Sequence, residues 1–395
     1  MKETVCLYNG TVLTGFAAME DCAVLVEGGL VADVFSHRRL GQRHFAQGAR
    51  LVDVGGAYIA PGFIDTHIHG YGGFGTDDGS TEAVLEMSRL LTECGVTAFN
   101  PTLYPSPRAA MLDAVAKTAA AMGRESGARI MGLHLEGPFL SPSRLGVLPP
   151  EALSPVDLSY MEELWQASGG HIVNMTVAPE IKGMRELALF CIKRGIVLQA
   201  GHTDAKYDNM VEGMQAGILH ATHLFNAMSR MDHRDPNAVG AVLIHTEMAC
   251  EIIADGFHVH PDLFKLLLRD KPIDRIVLVT DSLKPTGQRE GPFFANHEEV
   301  ALRDGVFKRV SDGVIAGSGL TMIRGVRNLT RFGFSLEDAV KTAGFNPATL
   351  MRYRGKGAII PGNDADLVVF DRDFRIRAVL VGGEIKRMED SLCAS

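Results

Sequence analysis

The sequence is poor in the features that mark several classes of protein. Its six cysteines are scattered and none forms a Cys-x-x-Cys pair, so neither a zinc cluster nor a disulfide framework is indicated. No apolar run approaches the roughly 18 residues of a membrane span, and the N-terminus lacks the apolar stretch of a signal peptide. A net charge of -8 gives no general attraction for nucleic acid or an anionic membrane. These absences favour a reduced, cytoplasmic protein with a small-molecule partner.

Apolar segments with strand-forming residues recur along the chain and alternate with amphipathic stretches or loops. With 395 residues and 46% hydrophobic content, the chain can build one large core and a smaller one. We predict eight strands, at 58–66, 96–103, 129–136, 173–178, 196–201, 219–224, 250–255 and 275–280. Near-continuous apolar strands alternating with helices indicate a parallel sheet covered on both faces. Eight such units over about 300 residues predict an α/β fold, a (β/α)8 TIM-type barrel, with a doubly wound open sheet as the alternative.

The two ends of the chain follow a different pattern. Residues 1–56 and 357–387 alternate apolar and polar residues around turns, which is typical of antiparallel strands. We therefore expect a small flanking β-sandwich domain made of residues 1–56 and 355–395. The barrel would occupy residues 57–354.

Polar residues cluster where the predicted barrel strands end, which is where barrel enzymes build their active sites. Histidines or carboxylates end six of the eight strands: His67, His69, His134, Glu136, His202, His223, Asp255, His258 and Asp281. Because His67 and His69 are two apart in a strand, both imidazoles face the same side and make half of a metal site. The pattern therefore indicates a catalytic site.

Several of these polar residues also have an ordinary structural interpretation. His134 is predicted to be a core histidine, and Asp255 is compatible with a structural role. Asp65 either orients a ligand or caps a turn. Glu180 is a weak candidate ligand at the end of strand 4, because no histidine lies near it in sequence.

A glycine-rich segment, Gly70-Tyr-Gly-Gly-Phe-Gly75, matches the G-x-G-x-x-G pattern of dinucleotide-binding loops. That loop needs an immediate helix after the last glycine, and here Thr76-Asp-Asp-Gly-Ser80 delays it. We expect instead that these glycines let the backbone pass close to a metal and substrate.

Seven segments together resemble the N-acetylglucosamine-6-phosphate deacetylase family of the amidohydrolase superfamily. The likeness covers nearly the whole chain, in order. The segments are Pro61-Gly-Phe-Ile-Asp-Thr-His-Ile-His-Gly70, Leu133-His-Leu-Glu-Gly-Pro138, Gly201-His-Thr203, Thr222-His-Leu-Phe-Asn-Ala-Met228, Ile253-Ala-Asp-Gly-Phe-His258, Thr280-Asp281 and Gly317-Ser-Gly-Leu-Thr-Met322.

The resemblance implies a role for each matching residue. Glu136, His202 and His223 match the core metal ligands, and His67 and His69 match the extra pair of members with a two-metal site. Asp281 matches the catalytic acid/base. The residues that hold the sugar phosphate match Asn226, Ala227, Arg234 and His258.

The resemblance also implies a cofactor, an assembly and a reaction. One or two divalent metals, zinc or iron(II), would bind per chain, and the protein would be a homodimer in which Arg234 crosses to the neighbouring subunit. The reaction would be hydrolysis of the N-acetyl group of N-acetylglucosamine 6-phosphate. The alternatives are a different N-acyl amino-sugar phosphate such as N-acetylgalactosamine 6-phosphate, another amide, or a non-catalytic protein on the same scaffold. The remaining alternative, a nicotinamide-dependent oxidoreductase, is supported only by the glycine-rich segment.

One position departs from the family pattern. The family has a Gly-Ala-His segment whose histidine touches the acetamide, whereas this chain has Arg144-Leu-Gly-Val-Leu148. Leucine cannot donate a hydrogen bond to a carbonyl. Either the reaction is slow, or a group such as His134 or Arg144 replaces the donor, or the substrate differs.

Overall fold

A computed structural model describes residues 3–392 except 46, 290, 297 and 304. Five of the six cysteines are free and buried, and Cys393 lies outside the described residues. None of the helices in the described ranges is long and apolar enough to cross a membrane.

Both ends of the chain contribute to one eight-stranded sheet, as their sequence pattern predicts. Strands are numbered in chain order through the whole molecule. The strands of this sheet are β1 (Val5–Leu13), β2 (Ala18–Glu27), β3 (Leu30–Ser36), β4 (Arg50–Asp53), β5 (Tyr58–Pro61), β21 (Leu367–Phe370), β22 (Ile376–Val381) and β23 (Glu384–Met388). Antiparallel pairing of β5 with β21 joins the two ends. Along β1, Val5 and Leu7 enter one apolar cluster and Cys6 enters another, because successive strand residues face opposite sides.

Eight parallel strands in sequential order form a nearly closed barrel, which confirms the predicted fold over the open sheet. They are β6 (Phe63–Ile68), β9 (Val96–Leu103), β11 (Leu133–Glu136), β12 (Ile172–Val177), β13 (Val197–Ala200), β14 (His220–Ala221), β15 (Ala249–Ile253) and β16 (Ile276–Val279). A short strand, β10 (Arg129–Ile130), lies beside β9, and β7 (Gly70–Tyr71) pairs with β8 (Phe74–Gly75). The α-helices are α1 (Thr81–Leu91), α2 (Arg108–Ala119), α3 (Leu158–Ala167), α4 (Met184–Lys193), α5 (Tyr207–Gln215), α6 (Asn237–Ile244), α7 (Pro261–Asp270), α8 (Met322–Arg331), α9 (Leu336–Ala343) and α10 (Phe345–Leu350).

The predicted strand 58–66 is in fact two strands in two different sheets. Gly62 separates β5 of the terminal sheet from β6 of the barrel, and its N–H donates to the Asp366 carbonyl. A side chain at position 62 would place a Cβ within 2.1 Å of Thr97, so only glycine allows this close crossing. A continuous apolar run therefore hid a change of sheet.

Asp65 ties the first barrel strand to the last. Its buried carboxylate accepts hydrogen bonds from the Thr280 hydroxyl (2.6 Å) and the Thr280 N–H (3.2 Å). Beside it, the N–H of Asp281 donates to the His67 carbonyl. Burial raises the pKa of Asp65 to about 7, although Thr280 opposes this. Asp65 also accepts the backbone N–H of His67 (3.4 Å), so it holds the backbone at this candidate ligand in addition to closing the barrel.

A four-stranded antiparallel sheet, absent from our sequence prediction, follows the last barrel strand. Its strands are β17 (Pro292–Ala295), β18 (Glu298–Arg303), β19 (Val306–Arg309) and β20 (Ile315–Ser318). Its apolar face includes Val300 and Phe307 and packs against Leu283, Tyr104 and Val147. It therefore stands at the C-terminal edge of the barrel, where the candidate site lies.

Candidate metal-dependent active site

Two groups of three buried side chains can each hold a metal ion at the C-terminal end of the barrel. Within each group the potential ligand atoms lie within 4.8 Å of one another. The groups are Glu136, His202 and His223, and His67, His69 and Asp281. The sequence predicted all six residues, but it assigned Asp281 to acid/base chemistry alone, whereas the geometry places it beside the His67–His69 pair.

Glu136 joins the two groups. Its Oε1 lies 3.1 Å from Nε2 of both His202 and His223, and its Oε2 lies 3.2 Å from Nε2 of His69. The Nε2 atoms of His202 and His223 are only 3.2 Å apart. Two ring nitrogens this close are favourable only when a proton or a cation lies between them, and Nε2 of the buried His67 has no hydrogen-bond partner among the described residues. This arrangement fits a divalent metal with nitrogen and oxygen ligands.

Three of the four histidine rings are held through Nδ1, which leaves Nε2 directed at the site. Nδ1 of His67 donates to Glu251 (3.0 Å), Nδ1 of His69 to the Thr102 carbonyl (3.1 Å), and Nδ1 of His202 to the Arg144 carbonyl (3.0 Å). Outer hydrogen bonds of this kind fix the orientation and tautomer of metal-binding histidines.

Glu251 ends a chain of buried amides that crosses the barrel interior. Its Oε1 accepts from the Gln199 amide (2.7 Å), whose oxygen accepts from the Asn174 amide (2.8 Å). The Asn174 oxygen accepts in turn from Asn100, whose own oxygen accepts from the Tyr353 hydroxyl. Because a carboxylate only accepts, Glu251 dictates that each amide nitrogen points toward it.

Charge in the site is balanced between the carboxylates and the imidazoles. Burial raises the pKa of Glu136, but hydrogen bonds from His202, His223 and His69 outweigh it and hold the pKa well below its usual range. Burial likewise raises the pKa of Asp281, and the neighbouring His67 and His69 reverse that shift. Both carboxylates are therefore ionised at neutral pH and available to bind a cation.

The turns after the strands place several site residues in backbone conformations that non-glycine residues rarely adopt. The φ angles of His202, His223 and Asp281 are +46°, +29° and +49°, and Ala227 has +50°. Each of these residues lies within a few positions of a strand end, where the chain reverses. Such strain clusters at functional sites because surrounding contacts hold it in place.

A cavity of about 330 Å³ opens above the ligand groups. Its lining includes His69, Glu136, His202, His223 and Asp281, together with Asn226, Ala227 and His258. Its remaining wall is largely apolar and comes from the loop with Leu148, from Leu283 and from the four-stranded sheet. The cavity therefore has a polar floor and an apolar side.

His258 is oriented by Asp255. Nδ1 of His258 lies 2.7 Å from the Asp255 carboxylate, which also accepts the backbone N–H of His258. Burial lowers the pKa of His258, but the hydrogen bond and charge of Asp255 outweigh it, so the pKa lies above its usual value. Asp255 therefore has a structural role, which was one of its two interpretations, and its carboxylate favours the cationic form of His258.

Arg234 is not part of this cavity within a single chain. It lies exposed in the loop before α6, and its backbone N–H donates to Asp232. Glu180 is not a ligand in this geometry, since its carboxylate accepts from Thr203 and from the Asp204 N–H. In the glycine segment, a Cβ on Gly70 would lie 2.5 Å from Lys284, so glycine is needed there for a close approach between two loops.

The structure also tests the groups expected to replace the missing histidine at position 148. Leu148 lines the cavity, as expected. His134 is a core histidine, as predicted, with both ring nitrogens hydrogen-bonded to Thr102 and Thr176. The Arg144 side chain pairs with Asp204 (2.7 Å) and does not line the cavity. Neither His134 nor Arg144 is placed to replace the donor.

Sequence reasoning missed two residues at this site. Glu251 is a single carboxylate within an apolar strand. Because a buried charge is normally paired, this residue could have been recognised from the sequence as the partner of another buried polar group. Tyr104 directly follows β9, and its ring stacks on His69 with centroids 3.7 Å apart and planes 3° apart. An aromatic residue after an apolar strand carries no signal of its own.

Comparison with known proteins agrees with this geometry. Residues 58–386 match the model of the amidohydrolase family. The chain is 36% identical to an N-acetylglucosamine-6-phosphate deacetylase of Bacillus subtilis (strain 168), over 83% of this chain and 84% of that protein. It is 29% identical to an N-acetylgalactosamine-6-phosphate deacetylase of Escherichia coli O157:H7, over 83% of this chain and 87% of that protein.

A solved structure shows the same likeness in three dimensions. It is the N-acetyl-D-glucosamine-6-phosphate deacetylase of Mycobacterium smegmatis in complex with N-acetyl-D-glucosamine-6-phosphate, which superposes with a TM-score of 0.89 at 29% identity and covers 97% of this chain and 99% of that chain. This chain therefore belongs to the amidohydrolase family, in which its named relatives include N-acetylglucosamine-6-phosphate deacetylases.

Proposed function

We propose that this protein hydrolyses the N-acetyl group of N-acetylglucosamine 6-phosphate to glucosamine 6-phosphate and acetate. The observation that carries the proposal is the convergence of two buried ligand groups, one of which contains Asp281, at the floor of one cavity. The names of the relatives support the substrate. A non-catalytic protein on this scaffold is disfavoured because every candidate ligand and the acid/base candidate are present.

The cofactor is one or two divalent metal ions, zinc or iron(II). Glu136, His202 and His223 would hold one position, with His67 and His69 at the second. When bound, the metal lowers the pKa of water from 15.7 to about 7 and withdraws charge from the amide carbonyl. The donor set contains only nitrogen and oxygen, which suits both metals.

Asp281 acts as the acid/base. Its carboxylate, ionised at neutral pH, takes a proton from the attacking water and then returns it to the leaving amine. One carboxylate can serve both steps because the first step protonates it and the second returns it to the ionised form. Its place between the imidazoles and the cavity brings it within reach of both reactants.

The sugar phosphate binds along the polar rim of the cavity. Nε2 of His258 has no hydrogen-bond partner among the described residues, and Asp255 raises the pKa of this ring, which favours the form that binds an anionic phosphate. Asn226 and Ala227 hold the sugar phosphate beside it. Arg234 would complete the site from the partner subunit of a homodimer, because a guanidinium binds phosphate through two parallel hydrogen bonds.

The proposal also covers the domain organisation and the cellular location of the protein. We propose a flanking β-sandwich domain from residues 1–56 and 355–395 that also includes β5 (Tyr58–Pro61), because β5 pairs in the terminal sheet, with the hydrolase barrel beginning at β6 and ending at residue 354. The location is cytoplasmic, which the five free cysteines support, since a reducing compartment keeps thiols unpaired. A second candidate substrate, N-acetylgalactosamine 6-phosphate, is favoured by the name of the Escherichia coli relative.

Release of acetate from a small panel of substrates tests the proposal. The panel contains N-acetylglucosamine 6-phosphate, its galactosamine epimer and unphosphorylated N-acetylglucosamine, assayed with protein of known metal content. We expect at least one metal per chain and the highest kcat/KM on the glucosamine compound. Full activity with less than one metal per chain contradicts the metal mechanism, and a preference for the epimer or the unphosphorylated sugar contradicts the substrate.

A further inference from the structure

Hydrolysis of an amide builds negative charge on the carbonyl oxygen, and a donor aimed at that oxygen stabilises the transition state. In this cavity the loop residue Leu148 supplies no donor, and His134 and Arg144 are engaged elsewhere. The remaining donors that line the cavity outside the two ligand groups are few. They are Tyr104, Asn226, His258, Asn296 and Arg309.

Three of these five donors are held by other protein groups. The Asn226 amide donates to two backbone carbonyls of its own turn, and Nδ1 of His258 is held by Asp255. Arg309 is bound through two nitrogens to Asp312 in the four-stranded sheet. Asn296 lies in the turn between β17 and β18, where its backbone N–H donates to Asp77. Its side-chain nitrogen is buried without a hydrogen-bond partner among the described residues, so it is the other unpartnered donor of this cavity.

Tyr104 is favoured over Asn296 because its ring packs against the imidazole of a candidate metal ligand. Its ring lies parallel to His69 with centroids 3.7 Å apart, and it also packs against the apolar cluster that contains Leu283 and Val300. No described residue forms a hydrogen bond with its phenol oxygen, although the ring itself is held by these contacts. A rigid phenol without a protein partner, in the wall beside the ligand groups, is suited to a substrate atom.

We propose that the Tyr104 hydroxyl donates a hydrogen bond to the carbonyl oxygen of the substrate amide and takes the place that Leu148 leaves empty. No proton is transferred: the O–H bond stays intact while the hydrogen bond strengthens as the carbonyl becomes an oxyanion. Tyr104 is thus a catalytic residue for the proposed deacetylation, on which this inference rests. The stacking on His69 would fix the distance between the phenol and the reacting carbon.

The variant Tyr104→Phe tests this assignment because it keeps the ring and removes only the hydroxyl. Loss of one such donor costs about 10²–10³ in kcat. We expect a fall of that size in kcat with KM little changed, because the bond gains its strength in the transition state. Tyr160→Phe is the matched control, since that phenol is also unpartnered but lies in α3, away from the cavity.

A binding measurement separates a catalytic role from a structural one. The probe is a phosphonamidate of glucosamine 6-phosphate, whose tetrahedral phosphorus carries an oxygen where the oxyanion forms. We expect Tyr104→Phe to weaken this probe by about the factor lost in kcat/KM, while affinity for glucosamine 6-phosphate and metal content stay unchanged.

Two outcomes overturn the inference, and they are distinguishable. If the metal-loaded wild-type protein deacetylates no member of the substrate panel, the proposed function fails and the inference with it. If the wild-type protein is active and Tyr104→Phe loses less than tenfold in kcat, or binds the phosphonamidate as tightly, only the role of Tyr104 is wrong.

Discussion

Replacing Glu251 by glutamine is expected to weaken metal binding without unfolding the protein. The wild-type carboxylate accepts from Nδ1 of His67 and from the Gln199 amide, so both neighbours point a donor at it. Glutamine has one acceptor and one NH2 group. Whichever way it turns, a donor faces either His67 or Gln199.

The neighbouring amides cannot remove this donor–donor contact without losing other hydrogen bonds. Turning Gln199 over would place its nitrogen against the Asn174 nitrogen, and turning Asn174 would break the hydrogen bond to the Thr66 carbonyl as well. The simplest response is a rotated or differently protonated His67 ring. A hydrogen bond to a charged group contributes about 1.5–3 kcal/mol, and loss of such outer partners costs about 10–100-fold in metal affinity. These two magnitudes agree, because each 1.4 kcal/mol is tenfold.

Competition with a chelator of known affinity measures the effect on protein stripped of metal and reloaded. Glu212→Gln serves as a matched control, because it makes the same change on the exposed surface of α5. We expect a Kd raised about 10–100-fold for the His67 position in Glu251→Gln and an unchanged Kd in the control. A well-folded Glu251→Gln protein with a Kd within twofold of wild type would refute the reasoning that this carboxylate orients the ligand.

Four further predictions concern catalysis and substrate binding. Asp281→Asn is expected to lower kcat by about 10²–10⁴-fold at unchanged metal content, and retention of more than a tenth of kcat would exclude it as the acid/base. Mixing Arg234→Ala chains with Asp281→Asn chains under subunit exchange should restore activity through hybrid dimers; if it restores none, the borrowed arginine is wrong. Asp255 raises the pKa of His258, so KM for the phosphorylated substrate should rise as pH increases through that pKa, and in Asp255→Asn the rise should begin at lower pH. Leu148→His should raise kcat/KM on N-acetylglucosamine 6-phosphate, and an unchanged value in a folded variant would show that position 148 does not act on the carbonyl.

The barrel and the chemistry-bearing strand ends are readable from sequence because their signals are local. An apolar run that stops at a histidine, as at His202 or His223, reports both the strand and its functional end. Strand boundaries were less predictable. Gly62 ends one strand and begins another in a different sheet, and the reason is the proximity of Thr97, a contact that sequence spacing does not reveal.

The grouping of residues was also beyond local reasoning. Asp281 joins His67 and His69 because the last strand closes against the first, through Asp65 and Thr280, 215 positions apart. The four-stranded sheet at 292–318 was missed for a related reason. Its strands are only four to six residues long, and its apolar face acquires meaning only against the cavity wall.

The barrel interior beneath the ligand groups is polar, where barrels of this type are usually filled by branched apolar side chains. Three amide side chains in this layer are fully buried and form hydrogen bonds with one another and with Glu251: Asn100, Asn174 and Gln199. An apolar layer of the same volume would support the fold without this directional constraint, since buried polar groups stabilise a protein only when all are satisfied. The polar layer fixes the orientation of its side chains. The Glu251 carboxylate, which can only accept, orients each amide in the chain and also the His67 ring. The layer is therefore better explained by the need to hold a metal ligand in one tautomer than by stability.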